Sequence, residues 1–160
     1  AFILIKGGEL LDGLAILKVL GVILITSFMN VAIIQFIVNF IKTSNAFSAF
    51  SSIIGTLIGF LTGIYVPIGN LHQSIQNVIR SFPISHAATL TRQIFMEKPM
   101  AAIFNGAPAS VQTEFQELAG VTFTIFGHQV TPLVSVLYIL LTGIVFSLLD
   151  IWILSKRKIN

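Results

Sequence analysis

The chain contains three long stretches without Asp, Glu, Lys or Arg: 23 residues between Lys18 and Lys42, 37 between Lys42 and Arg80, and 32 between Glu117 and Asp150. A helix needs roughly 20 apolar residues to cross a hydrocarbon core about 30 Å thick, so each stretch has room for one span. The first is placed at Val19–Ile41, about 34 Å as a helix, with Lys18 and Lys42 at its ends to snorkel toward water. Lys42 to Asn45 is a short polar turn, and Pro67 and Gly69 close the stretch after it. Ala46–Ile68 therefore forms a second span antiparallel to the first. Val130–Leu154 forms the third and ends at the basic run Lys156, Arg157, Lys158.

Between the second and third spans the period changes. Leu71, Ile75, Val78, Ile79 and Phe82 recur at helical spacing, while Gln73, Gln76, Asn77 and Arg80 occupy the other side. That is an amphipathic helix rather than a span. Pro83 breaks it, and Ser85 is placed to N-cap a second short helix, His86–Met96. Two short amphipathic helices beside a span read as interfacial or re-entrant elements. Glu97 to Gln129 is the most polar stretch, interrupted by Pro99, Gly106, Pro108, Gly120 and Gly127, with strand-like alternation over Val121–Phe126. Lys6–Gly13 is a glycine-rich break. The expected fold is an all-α integral membrane protein with three transmembrane helices and two short amphipathic external or re-entrant helices. Residues 1–160 form one transmembrane domain with an external region at 69–129. The start, Ala1 to Ile5 without a methionine, reads as the continuation of something longer, so the chain is expected to be the C-terminal part of a larger membrane protein.

Composition supports that picture. Charged residues make up 9% of the chain, where soluble domains average about 25%. Hydrophobic residues make up 55%, with 14 Phe, which excludes a disordered tail and argues against a nucleic-acid partner. Three spans put the turn at 42–45 and the C-terminus on one side. That side carries Lys42, Lys156, Arg157 and Lys158, against Lys6, Lys18, Arg80, Arg92 and Lys98 on the other. The count does not decide orientation. The density of the C-terminal cluster at one membrane exit favours a cytoplasmic C-terminus.

Candidate chemistry is sparse. There is no cysteine and no phosphate-cradling GxxxxGK[ST] loop, and His72, His86 and His128 lack ligand spacing. No catalytic residue, cofactor or metal site is expected. Glu114 and Glu117, at i and i+3, form either a carboxylate pair or a solvated helical turn, and the solvated turn is favoured. Ser51, Gly55, Gly59 and Gly63 recur every four residues on one face of the second span, the small-residue pattern that lets helix backbones approach in lipid. That face is either a packed seam or a lining of the transport route. Asn30 and Gln35 lie inside the first span, where amides need partners; interhelical bonds are favoured over a pathway, and Asn39 is placed at the interface. Asp150 is the one acid within a span, a functional candidate by default. An ion pair with Lys156 or Arg157, one to two turns on, is favoured over a proton relay.

Residues 59–96 have a more particular order. Phe60, Gly63 and Pro67 follow an F-x-x-G-x-x-x-P spacing at the end of the second span. The amphipathic helix comes next, then Pro83, Ser85 and His86 as P-x-[ST]-H, then a helix bearing Arg92. In this order, and in approximate lengths over Leu14–Lys158, the chain resembles the permease subunit of ABC-2 type ABC transporters. The resemblance implies six spans per subunit, of which the first three are missing here. It also implies a pathway shared by a homo- or heterodimer of permeases, a separate ABC ATPase subunit on the cytoplasmic face, and a multi-pass location in a bacterial inner membrane. Pro67, Pro83, Ser85, His86 and Arg92 become candidates for the outer gate. The chain itself is then not an enzyme. The competing readings are a fragment of an ion-gradient-driven secondary transporter and a non-transporting membrane scaffold.

Overall fold

The computed structural model describes residues 12–125 and 128–157. Most of the Lys6–Gly13 break, the Phe126–Gly127 tip, the side chain of Arg157 and Lys158 lie outside them. The chain forms helices α1 (Gly13–Val38), α2 (Ser44–Leu61), α3 (Gln73–Ser81), α4 (Pro83–Ile103), α5 (Ala109–Leu118) and α6 (Pro132–Arg157). A 3-10 turn (Ile68–Asn70) precedes α3, and strands β1 (Thr124–Ile125) and β2 (His128–Gln129) pair antiparallel before α6. Three of these helices, α1, α2 and α6, are long and apolar enough to cross a membrane. The protein is a largely helical membrane protein.

Each boundary has a local cause. Asp12 N-caps α1, its Oδ1 accepting from Ala15 N at 3.3 Å. The helix therefore starts six residues before the expected Val19, and Lys18 sits in its second turn. Thr43 caps α2 in the same way, its Oγ1 accepting from Ala46 N at 3.2 Å. The other end of α2 falls at Leu61, well short of the expected Ile68. Gly63 explains this: it adopts φ +69, its N–H donates to Phe60 O at 3.0 Å, and Ile64 N donates to Gly59 O at 3.0 Å. A left-handed glycine after the cap reverses the chain and satisfies the last carbonyls. Gly63 is thus a helix terminator rather than the fourth member of a packing face.

The second amphipathic helix is corrected more strongly. Helix α4 begins at Pro83 and runs 21 residues through Pro99 to Ile103, instead of spanning only His86–Met96. Proline fits the first helical position, where no intrahelical N–H bond is missing. Ser85 is inside the first turn and caps nothing; its hydroxyl donates to Leu61 O at 2.7 Å. Helix α5 forms within the stretch where only a solvated turn was expected, and Glu114 and Glu117 both stay exposed on it.

Helices α1 and α6 run parallel and side by side. Phe28 lies over Gly143, the rings of Phe36 and Phe146 meet edge-on at 5.2 Å, and Asn39 Nδ2 donates to Asp150 Oδ1 at 2.8 Å. Residue numbers rise together along both helices, so both begin at one end of the bundle. The turn after α1 and the end of α6 share the other. Helix α4 lies against this pair, where Ala87 and Leu90 join Met29 and Ile139 in a buried cluster. A second cluster of Leu61, Ile68, Ile79 and Phe123 fills the space under α3. Away from these contacts the spans are apolar all round, with Leu17, Leu24, Val31, Leu137 and Ile151 exposed. Such surfaces suit hydrocarbon and not water.

Helix α3 turns an unexpected face inward. Gln76 and Ile79 are buried, whereas Ile75, Val78 and Phe82 of the apolar stripe are exposed. Gln76 Nε2 donates to Leu71 O at 2.8 Å and Arg80 Nη1 to Thr124 O at 2.8 Å. Loop carbonyls need donors, and Gln76 and Arg80 supply them beside the buried Ile79, which leaves Ile75, Val78 and Phe82 facing outward.

Candidate functional site: the polar face of α4 and the cleft beside it

Helix α4 carries Ser85, Thr89, Arg92 and Gln93 at i, i+4, i+7 and i+8, one stripe along its length. Every one of these side chains donates to a main-chain carbonyl at a chain reversal. Ser85 reaches Leu61 O, and Arg92 Nη2 reaches Thr62 O, at the end of α2. Thr89 Oγ1 reaches Gly120 O at 3.0 Å and Gln93 Nε2 reaches Val121 O at 2.8 Å, at the end of α5. The end of α5 repeats that of α2: Gly120 has φ +66, with Gly120 N on Glu117 O and Val121 N on Gln116 O. Helix α4 therefore grips the carboxyl ends of two helices at once.

The electrostatics favour this arrangement. Helix C-termini carry roughly half a negative charge, and a cation there contributes about 0.3–1 kcal/mol at exposed sites and more when partly buried. Arg92 serves both ends, because a Cβ on Gly120 would meet its Nη1 at 3.0 Å and one on Gly63 would meet its Nη2 at 3.4 Å. Burial draws the Arg92 pKa below its ordinary value, yet a guanidinium stays protonated in proteins.

His86 fastens α4 on its other side. Its Nε2 lies 2.9 Å from Arg80 O and its Nδ1 lies 3.0 Å from Ser135 Oγ. A carbonyl only accepts, so Nε2 carries the proton and Nδ1 accepts from the serine hydroxyl. Burial lowers the His86 pKa and the bond to Arg80 O opposes that to a lesser degree, which suits a neutral ring. Tyr138 stacks obliquely on it at 4.8 Å and donates its own hydroxyl to Ser81 O at 2.7 Å.

Ser85 and Arg92 thus share the end of α2, while His86 reaches Arg80 and Ser135 on the other side of α4. Pro83 starts the helix that bears them. Pro67 is exposed and leads into the turn whose Ile68 packs beside Gly63 and Phe123. The small-residue face behaves differently: Ser51 and Gly55 are exposed, a Cβ on Gly55 would meet nothing, and Gly59 is covered only by the Tyr65 ring. Asn30 is half-buried and Gln35 exposed, and among the described residues neither makes the interhelical bond expected of it. Asn39 makes one instead, with Asp150. Of the two partners expected for Asp150, Lys156 instead lies over the Trp152 ring at 4.1 Å, and the Arg157 side chain lies outside the described residues.

Sequence reasoning missed Thr62, Thr89, Gln93 and Gly143. A signal existed for the reversals: Leu61-Thr-Gly-Ile64 and Leu118-Ala-Gly-Val121 share a pattern of apolar residue, cap, glycine and apolar residue. It also missed a cleft of about 810 Å³ between α1, α4, α5 and the start of α6, with Lys18 and Glu97 4.0 Å apart on its wall. Among the described residues no group of His, Cys, Asp and Glu could hold a metal ion. Comparison of the chain with protein-family models, curated proteins and solved structures finds no match.

Proposed function

We propose that the chain is the C-terminal half of the permease subunit of an ATP-driven ABC-2 type exporter, contributing three spans and the outer gate to a route shared by two permeases. The observation that carries this reading is the clamp on α4. Ser85, His86 and Arg92, the residues of the family-like motif, converge on the carboxyl end of α2 and the start of α6. A gate needs a rigid element that holds a mobile one. Helix α4 is seated on α1 and α6, whereas on α2 only Gly59 and Leu61 are buried. Helix α2 is thus a long arm held at one end, free to shift as a unit while the α1–α6 pair stays packed.

In this reading the α1–α2 turn and the end of α6 are cytoplasmic, and the region from α3 to β2 belongs to the outer side of a bacterial inner membrane, with α4 re-entering beside α1 and α6. Energy comes from a partner ATPase pressing on the cytoplasmic side, since the chain has no phosphate-binding loop. Reconstitution with that partner in liposomes tests this. Transport stops when the partner's phosphate-binding lysine is replaced, and it survives collapse of the proton gradient. Transport that follows an imposed pH gradient without nucleotide overturns the reading. One observation favours a gradient-driven carrier instead: Asp150 is buried, 6% exposed, inside a span. An Asp150→Asn protein of normal abundance that no longer transports decides for that alternative.

A further inference from the structure

We propose that the cleft between α1, α4 and α5 holds a bilayer phospholipid with a phosphoethanolamine headgroup, its head at Lys18 and Glu97 and one acyl chain on the apolar floor. This does not depend on what drives transport, so it stands or falls apart from the exporter reading.

The walls of the cleft change character along its length. Helices α1 and α4 run in opposite directions here, so Lys18 faces Glu97 at one end while Val22 and Ile25 approach Leu90 at the other. From Lys18 to Ile25 is about 10 Å along a helix. The polar end lies at headgroup depth. Helix α1 has 26 residues, about 39 Å against a hydrocarbon core of about 30 Å, so Lys18, in its second turn, has its backbone just inside the core and reaches headgroup depth by snorkelling. The apolar end lies where acyl chains begin.

The headgroup follows from charge. Lys18 and Glu97 form a loose pair at 4.0 Å, with side chains 49% and 69% exposed. Such a pair contributes little by itself and exchanges readily for a better one. A zwitterion satisfies both charges, phosphate on Lys18 and ammonium on Glu97. An anionic head leaves Glu97 repelled, and a choline head has no N–H to donate. Below the pair, Gln93 Oε1 and Thr122 Oγ1 are buried in the cleft wall without hydrogen-bond partners. Only the Thr122 hydroxyl can pair with a lipid ester, which accepts but does not donate; the Gln93 oxygen needs a donor, and the one donor on this lipid is its ammonium. A volume of about 810 Å³ is within the range of roughly 300–1,000 Å³ usual for ligand sites, enough for the head and one chain.

Gly21 provides the test. It lines the cleft, and a Cβ placed on it meets nothing within 4 Å, so Gly21→Phe starts from open space and puts an aromatic ring at the cleft. The full chain is purified in mild detergent and exposed to ethanolamine, glycerol and choline phospholipids with identical acyl chains, and bound lipid is counted by native mass spectrometry. The expected result is one ethanolamine lipid held about tenfold more tightly than the other two. Gly21→Phe loses it at unchanged thermal stability, while Lys18→Gln and Glu97→Gln keep a lipid but erase the headgroup preference. A photo-crosslinking residue at position 21 gives a lipid adduct. Equal retention of all three lipids, unchanged retention in Gly21→Phe, or a crosslink to polypeptide overturns the proposal.

Discussion

Helices α2 and α6 are both apolar spans, yet they are held in opposite ways. Helix α6 packs along its length: Gly143 admits Phe28, Ile139 is fully buried, Phe146 meets Phe36, and Asp150 bonds Asn39. Helix α2 touches the rest of the molecule at its last turn, through the carbonyls of Leu61 and Thr62. Lipid tails are as apolar as leucine, so apolarity alone joins no helix to another in a membrane. What joins α6 to α1 is shape and the partly buried hydrogen bond from Asn39 to Asp150. What joins α2 to α4 is a set of polar bonds to a helix end. Ser51 and Gly55 of α2 lie on a face that nothing among the described residues covers. A small-residue stripe and a real seam are therefore different things, and the seam formed around a single glycine, Gly143.

Placing a side chain on each glycine is the sharpest way to break this comparison. A Cβ on Gly143 would sit 2.6 Å from the Phe28 ring and 3.3 Å from Met29 Cα. Gly143→Leu is expected to cost about 1–3 kcal/mol or more through overpacking, seen as a large drop in thermal midpoint in micelles. Gly55→Leu on α2 is expected to leave that midpoint unchanged. Equal losses in both would mean that α2 is packed after all.

The clamp is next in size. Arg92→Gln combined with Ser85→Ala removes the donors to Thr62 O and Leu61 O, at about 1–3 kcal/mol for the carbonyls left unpaired. Amide exchange is expected to rise across 58–64 and stay unchanged at 28–36. A uniform rise across all helices would contradict the one-ended attachment of α2.

His86 gives a smaller, pH-dependent effect. Its folded pKa lies below the unfolded value, so the unfolded chain takes up its proton first as pH falls. The contribution of His86 is complete above its ordinary value of about 6.5 and declines as pH falls below that toward the depressed folded value. The thermal midpoint should follow this course, and His86→Gln should flatten it. A midpoint that instead rises on acidification would place a carboxylate partner on the ring.

The smallest effect belongs to the α1–α6 hydrogen bond. Asp150→Asn retains an acceptor for Asn39, and a change under about 1 kcal/mol is expected, whereas Asp150→Ala removes this acceptor from the seam and costs more. Equal stability of the two variants, measured by thermal unfolding, would show that the bond does not hold the seam.

The linear pattern of charges was enough to place the three spans, because a hydrocarbon core excludes charge over a length that any sequence must show. The order of residues also placed His86 and Arg92 on one helix, with Ser85 expected as its cap rather than inside its first turn. It fell short wherever the partner was a backbone group far along the chain. The carbonyls of Leu61, Thr62, Gly120 and Val121 have no signature of their own, so Thr89 and Gln93 looked like ordinary polar residues of a short amphipathic helix. The inward polar face of α3 was illegible for the same reason: in water Ile75, Val78 and Phe82 would turn to the core, and only the need of Leu71 and Thr124 carbonyls for donors turns Gln76 and Arg80 there instead. Which glycine is a seam, Gly143 or Gly55, depends on whether another helix passes over it. Spacing along one strand of sequence carries no information about that; the tertiary structure decided it when α1 and α6 came to lie parallel.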